Sequence, residues 1–128
     1  MKKLLLAILS AAGVCTGCAA ADGDELLAPC EFRRAVAADT AAYVLDVRHA
    51  AEYAEGHLQG AHLLDVLDGE AFDAGMKRLD RKRTYYIYCR SGRRSHAAWQ
   101  KFTAEGFRAF DLEGGIIGWQ KEGLPVVR

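Results

Sequence analysis

The segment Thr84-Tyr85-Tyr86-Ile87-Tyr88-Cys89-Arg90-Ser91-Gly92-Arg93-Arg94-Ser95 carries the clearest structural signal in the chain. Its first five residues are all β-branched or aromatic, the composition of a strand. A Cys opens the stretch that follows, three Arg crowd it, and Gly92 supplies the backbone freedom that a tight turn needs. Ser95 to Glu105 then reads as a helix stopped by Gly106, with Ala98, Trp99 and Phe102 along one face. Strand, tight loop and helix make one βα unit.

The same alternation extends in both directions. Pro29 to Ala37 reads as a helix with Phe32 and Val36 one turn apart, and Tyr43 to Val47 as a short buried strand. His49 to Glu55 is helical in composition and ends at Gly56; Ala61 to Leu64 is a second short strand; Glu70 to Leu79 is a further helix. Beyond the central unit, Ala109 to Leu112 is a last strand and Gly115 to Lys121 a final helical turn or two. Strands alternating with helices of this length predict an α/β fold, a central mostly parallel β-sheet with helices on both faces. Ligands in such sheets bind beyond the carboxyl ends of the strands, where Cys89 falls.

The chemistry at that position is specific. A tight loop between strand and helix turns successive N–H groups into one concavity, and the helix adds its positive end. A thiolate on Cys89 would be stabilised by those dipoles and by Arg90, Arg93 and Arg94, which makes it a nucleophile at neutral pH. A buried structural thiol is the plain alternative, and three Arg within five residues fit it poorly.

Cys89-Arg90-Ser91-Gly92-Arg93-Arg94-Ser95 resembles the active-site loop of the rhodanese family of sulfurtransferases. Leu45-Asp46-Val47-Arg48 with Glu52-Tyr53 and Gly56 to Ala61 resembles the family's amino-terminal signature, and Leu112-Glu113-Gly114-Gly115-Ile116-Ile117-Gly118-Trp119 its carboxyl-terminal one. The motifs stand in the family's order and spacing, and the resemblance covers the chain from Pro29 to Val127. The resemblance implies a rhodanese-like domain over residues 26–128 in which Cys89 carries sulfane sulfur as a persulfide. Arg90, Ser91, Gly92, Arg93, Arg94 and Ser95 would cradle an anionic donor such as thiosulfate, and a thiol, cyanide or a protein sulfur acceptor would remove the sulfur. Neither a metal nor an organic cofactor is required for that chemistry, and no His/Cys ligand spacing suggests one. A sulfur-relay or sensing module with little small-molecule turnover would carry the same residues.

Cys-dependent phosphatases and arsenate reductases use a Cys, five residues and an Arg. Here Ser95 occupies the place of that Arg and Arg94 closes a loop one residue shorter, which favours sulfur chemistry. Asp46 and Arg48 read as supporting residues that anchor neighbouring loops through an ion pair. His57 and His62 read as structural, and His96 sits close enough to tune Cys89 or lies on the outer face. Trp119, Ile116 and Ile117 read as core. Cys30 opens a helix, where it is inert, paired or a resolving thiol.

The amino terminus is of another kind. Met1-Lys2-Lys3, an apolar run from Leu4 to Val14 and Ala19-Ala20-Ala21 form the three parts of a secretory leader over residues 1–21. A spanning helix needs about 20 apolar residues, more than this run holds. Cleavage after Ala21 and lipoprotein-type cleavage with lipid on Cys18 both fit, the latter with Cys15 where an aliphatic residue is usual. Cys15-Thr16-Gly17-Cys18 is followed by Ala19, so haem attachment is not indicated. The expectation is an exported protein, periplasmic or held at the membrane by that lipid, with two remaining cysteines able to pair in an oxidising compartment.

The whole chain of 128 residues balances 17 basic against 17 acidic side chains, which gives no basic excess for nucleic acid. The balance hides a dipole. Residues 22–73 hold twelve acids against three Arg, whereas residues 77–94 hold eight basic residues against Asp80 alone. This reads as a basic strip leading to the Cys89 loop, suited to steering anions or docking an acidic partner.

Overall fold

The computed structural model describes residues 25–128. The leader, Cys15 and Cys18 lie outside the described residues. In chain order the elements are β1 (Leu26–Leu27), α1 (Pro29–Ala38), β2 (Ala42–Asp46), α2 (Ala50–Glu55), β3 (His62–Leu63), α3 (Gly69–Lys77), β4 (Thr84–Tyr88), α4 (Arg93–Ala104), β5 (Arg108–Leu112) and α5 (Gly115–Lys121). The strands form one sheet in the order β1-β5-β4-β2-β3, with every pairing between these strands parallel.

All five residues of β4 are buried because it is paired on both sides and covered on both faces. Its side chains alternate. Tyr85, Ile87 and Cys89 join a core with Phe72, Met76, Ala98, Phe102 and Phe107, supplied largely by α3 and α4. Tyr86 and Tyr88 join a second core with Phe32, Leu112, Ile116 and Trp119, from the α1 and α5 side. The period-two pleat therefore sends Cys89 toward the face that α4 covers.

The chain leaves β2 for β3 in one direction and β4 for β5 in the other. The adjacent carboxyl ends of β2 and β4 are thus a topological switch point, where a crevice opens in an open α/β sheet. Asp46 is paired with Tyr88 in register, so the segments that follow, from Val47 and from Cys89, rise side by side over that crevice.

Three sequence expectations are corrected. Helix α4 starts at Arg93 rather than Ser95, because Gly92 at φ 111° makes the left-handed turn and takes the N-cap place. Ile117, read as core, is 36% exposed, while Ile116 and Trp119 are buried. The basic run is not one strip: Lys77, Arg78, Arg81, Lys82 and Arg83 precede β4, and five strand residues at about 3.3 Å each place them ~17 Å from the loop, at the opposite end of the sheet. There Arg83 donates to the carbonyls of Ala41 and Ala42, and Arg81 donates to the Glu105 carbonyl and lies over Phe107. Strand β1 was not legible in the sequence, since two residues carry no periodicity.

Candidate active site

Cys89 is a free thiol, 1% exposed, at the carboxyl end of β4. Its Sγ accepts a hydrogen bond from the Gly92 N–H at 3.0 Å, so the loop closes around the sulfur. The first N–H groups of a helix have no intrahelical acceptor, which leaves those of Arg93, Arg94 and Ser95 at the opening of α4 beside the same concavity. A bound anion is favoured at such an end by the helix dipole and the free N–H groups.

The loop is gripped from the far side by α5. The Ile116 N–H donates to the Cys89 carbonyl at 2.9 Å and the Ile117 N–H to the Arg90 carbonyl at 3.2 Å. This approach demands Gly115, whose φ is +61° and where a Cβ would stand 2.2 Å from the Arg90 oxygen. The carboxyl-terminal signature thus has a physical meaning, and Gly115 is a positioning residue that sequence reasoning did not single out. Its visible signal was the Gly114-Gly115 pair.

Beneath the loop lies a buried polar network. Arg48 Nε donates to Asp46 Oδ1 at 2.9 Å, and Nη2 donates to Asp46 Oδ2 and to the Gly56 carbonyl, each at 2.7 Å. The Tyr88 hydroxyl donates to Asp46 Oδ2 at 2.6 Å and accepts from the Leu58 N–H at 3.0 Å. Burial opposes the Arg48 charge, and the hydrogen bonds it donates to the Asp46 carboxylate outweigh it, so the guanidinium is held protonated. Asp46 and Arg48 join the end of β2 to β4 and to the α2–β3 connection. They hold the crevice rather than face it.

The six loop residues take different places. Arg90, Ser91 and Arg93 have exposed side chains. Arg94 does not turn to the thiol: Nη1 and Nη2 donate to Glu52 Oε1 and Oε2, both at 2.9 Å. These bonds, followed by the His49 N–H on Oε1, hold the Glu52 carboxyl down at about 2. Glu52 is a second residue the sequence reading quoted without assigning. Its pair with Arg94 spans the switch point from α2 to α4.

Ser95 is fully buried, and its Oγ donates to Asp111 Oδ1 at 2.6 Å. The side chain therefore ties α4 to the end of β5, and its hydroxyl is committed to that contact. His96 is exposed, with Nδ1 3.7 Å from Asp111 Oδ2. His57 is structural, stacked on Tyr53 and with Nδ1 3.0 Å from the Tyr53 carbonyl; His62 stacks on Tyr43. Cys30 lies in the first turn of α1, beside Gly118, Lys121 and Glu122 of the α5 end.

Asp111 supplies a pH test of this anchoring. Burial pushes its carboxyl up from 3.8 to about 6, against the Ser95 hydrogen bond and the nearby His96 ring, which pull it down. A folded value above the unfolded one means that the native state holds the proton more tightly. The stabilisation from this group is complete below about pH 4 and is lost as pH rises through about 6, with a ceiling of about 3 kcal/mol. Asp111→Asn, which keeps an acceptor for Ser95, is expected to match wild type near pH 4 and to exceed it by about 1–2 kcal/mol near neutral pH. Urea denaturation at the two pH values checks this; equal stabilities at both would refute it.

Comparison with known proteins agrees with this geometry. A 38% identical match over 85 residues, covering 66% of this chain and 77% of the relative, is a sulfurtransferase of Allochromatium vinosum. A thiosulfate sulfurtransferase of Actinobacillus pleuropneumoniae is 30% identical over 86 residues, with 66% and 77% of the two chains covered. Among solved structures, a rhodanese-related protein from Thermoplasma volcanium superposes with a TM-score of 0.72 at 29% identity, covering 80% of this chain and 97% of that one. The family model described as Rhodanese-like domain matches residues 28–122. A single α/β domain with the Cys89 loop at its switch point, related in sequence to bacterial sulfurtransferases, therefore belongs to the rhodanese-like family.

Proposed function

We propose that this protein is an exported sulfurtransferase that moves sulfane sulfur from an anionic donor such as thiosulfate to a thiol or cyanide through a persulfide on Cys89. The observation that carries the reading is the free Cys89 thiol held under the Gly92 N–H at the opening of α4. The Cys89 thiolate attacks the outer sulfur of thiosulfate, the sulfur–sulfur bond of the donor breaks, and sulfite leaves with the electron pair. The persulfide then rests among the N–H groups at the helix start. An acceptor removes the outer sulfur and restores the thiolate. Two further points support sulfur rather than phosphate transfer. The Arg that would close a phosphate-binding loop is turned to Glu52, and one relative is a thiosulfate sulfurtransferase.

The test is intact-mass spectrometry of the purified chain after thiosulfate treatment, with peptide mapping. One added sulfur, located on the peptide containing Cys89 and removed by cyanide, is expected. No added sulfur from thiosulfate or polysulfide would end the proposal. For export, the full chain expressed in a Gram-negative host is expected outside the cytoplasmic fraction; recovery in the cytoplasm with the leader intact would count against it.

A further inference from the structure

Arg94 belongs to the loop by its backbone and to α2 by its side chain. It is the second residue of α4, so its N–H is one of the free groups at the helix start. Its guanidinium is turned sideways, and both Nη atoms donate to the Glu52 carboxylate at 2.9 Å. The two side chains are only 20% and 25% exposed. Arg90 and Arg93 are exposed, where water and salt screen them, so Arg94 is the least screened of the three loop cations.

The guanidinium is within electrostatic reach of the nucleophile without touching it. Its hydrogen bonds to Glu52 raise its pKa against the opposing effect of burial, and the charges of Glu52, Cys89 and Asp65 add to the rise. Glu52 is held ready on its own helix, because its Oε1 also accepts the N–H of His49, the residue that caps α2. A bidentate pair of this kind has no net charge. One full positive charge is thus cancelled on the flank of Cys89, and the concavity is left to hold anions through its N–H groups. A free cation at the same place would favour whichever donor carries more negative charge.

We propose that Glu52 is a positioning residue that sets the donor-charge preference of Cys89: by pairing with Arg94 it keeps the site from favouring dianionic over monoanionic donors of sulfane sulfur. The inference rests on the persulfide reading. Thiosulfate carries two negative charges and methanethiosulfonate one, and the Cys89 thiolate attacks the outer sulfur of either. A bond forms between Sγ and that sulfur, the donor's sulfur–sulfur bond breaks, and the electron pair leaves on sulfite or on methanesulfinate.

The experiment follows sulfur loading of the full chain by each donor, by intact mass at low ionic strength, in wild type, Glu52→Gln, Arg94→Gln and the double variant. The readout is the ratio of the thiosulfate rate to the methanethiosulfonate rate. Dividing each variant's ratio by that of wild type removes leaving-group chemistry and any general loss of activity. Glu52→Gln leaves Arg94 uncompensated and is expected to raise the ratio about fivefold; Arg94→Gln leaves Glu52 uncompensated and is expected to lower it about fivefold. The double variant is neutral again and is expected to return to within about twofold of wild type. A merely structural contact would not give shifts of opposite sign that cancel in the double variant. Glu52→Ala and Arg94→Met make the same charge changes and serve where a glutamine variant does not fold. A ratio that either single substitution leaves unmoved, or a double variant that does not return, overturns the role of Glu52 alone. A wild-type chain that gains no sulfur from either donor overturns the persulfide reading and this inference together.

Discussion

Cys89→Ser is expected to gain no sulfur from thiosulfate and to lose at least ~10³-fold in sulfur transfer, while staying folded. A serine hydroxyl is nearly the size of the thiol and can still accept the Gly92 N–H, so the loop keeps its internal bond. The hydroxyl is not ionised at neutral pH, and oxygen does not form the sulfur–sulfur bond that stores the transferred atom. Cys30 offers no replacement, since it sits at the start of α1 and not on the β4–α4 loop. Mass spectrometry of the variant after thiosulfate, beside a urea melt to show that it is folded, checks both parts. Turnover near that of wild type would remove Cys89 from the reaction.

Gly115→Ala is expected to damage both stability and loading. The added Cβ would lie 2.2 Å from the Arg90 oxygen, 2.4 Å from its carbon and 2.7 Å from the Cys89 oxygen. All three are backbone atoms of the loop, so the clash is relieved only by moving the loop or α5. Left-handed strain at φ +61° adds about 1–2 kcal/mol. The sum is expected to reach about 3 kcal/mol or more, and a loop displaced by about 1 Å to load sulfur on the order of 100-fold more slowly. Gly123→Ala separates the two causes, because Gly123 has φ +80° and nothing lies within 4 Å of the place its methyl group would take. That control should show the backbone strain alone, with loading retained. If the two substitutions behave alike in urea melts and in sulfur loading, the close-approach account of Gly115 is wrong.

Local sequence disclosed the parts of this molecule that depend on neighbours along the chain. Five residues suited to a buried strand, Thr84 to Tyr88, are the central strand, and the Cys-led loop behind them is at the carboxyl end of the sheet as expected. What stayed hidden depends on partners remote in sequence. Glu52 and Arg94 are 42 positions apart, and only the parallel register of β2 and β4 makes them neighbours. Ser95 looked like a helix start because its type favours that place, yet its hydroxyl is taken by Asp111 and the turn belongs to Gly92. The basic residues are close in sequence, but five extended residues carry them to opposite ends of the sheet.

The bidentate pair between Glu52 and Arg94 also bears on how this loop can be reused. The seven residues from Cys89 to Ser95 are short enough to splice into another scaffold, but their shape is set by Glu52 on α2, Asp111 on β5 and the N–H groups of α5. A transplant of the loop alone would bring the nucleophile without its mould. The smallest portable version of the site is nearly the whole sheet.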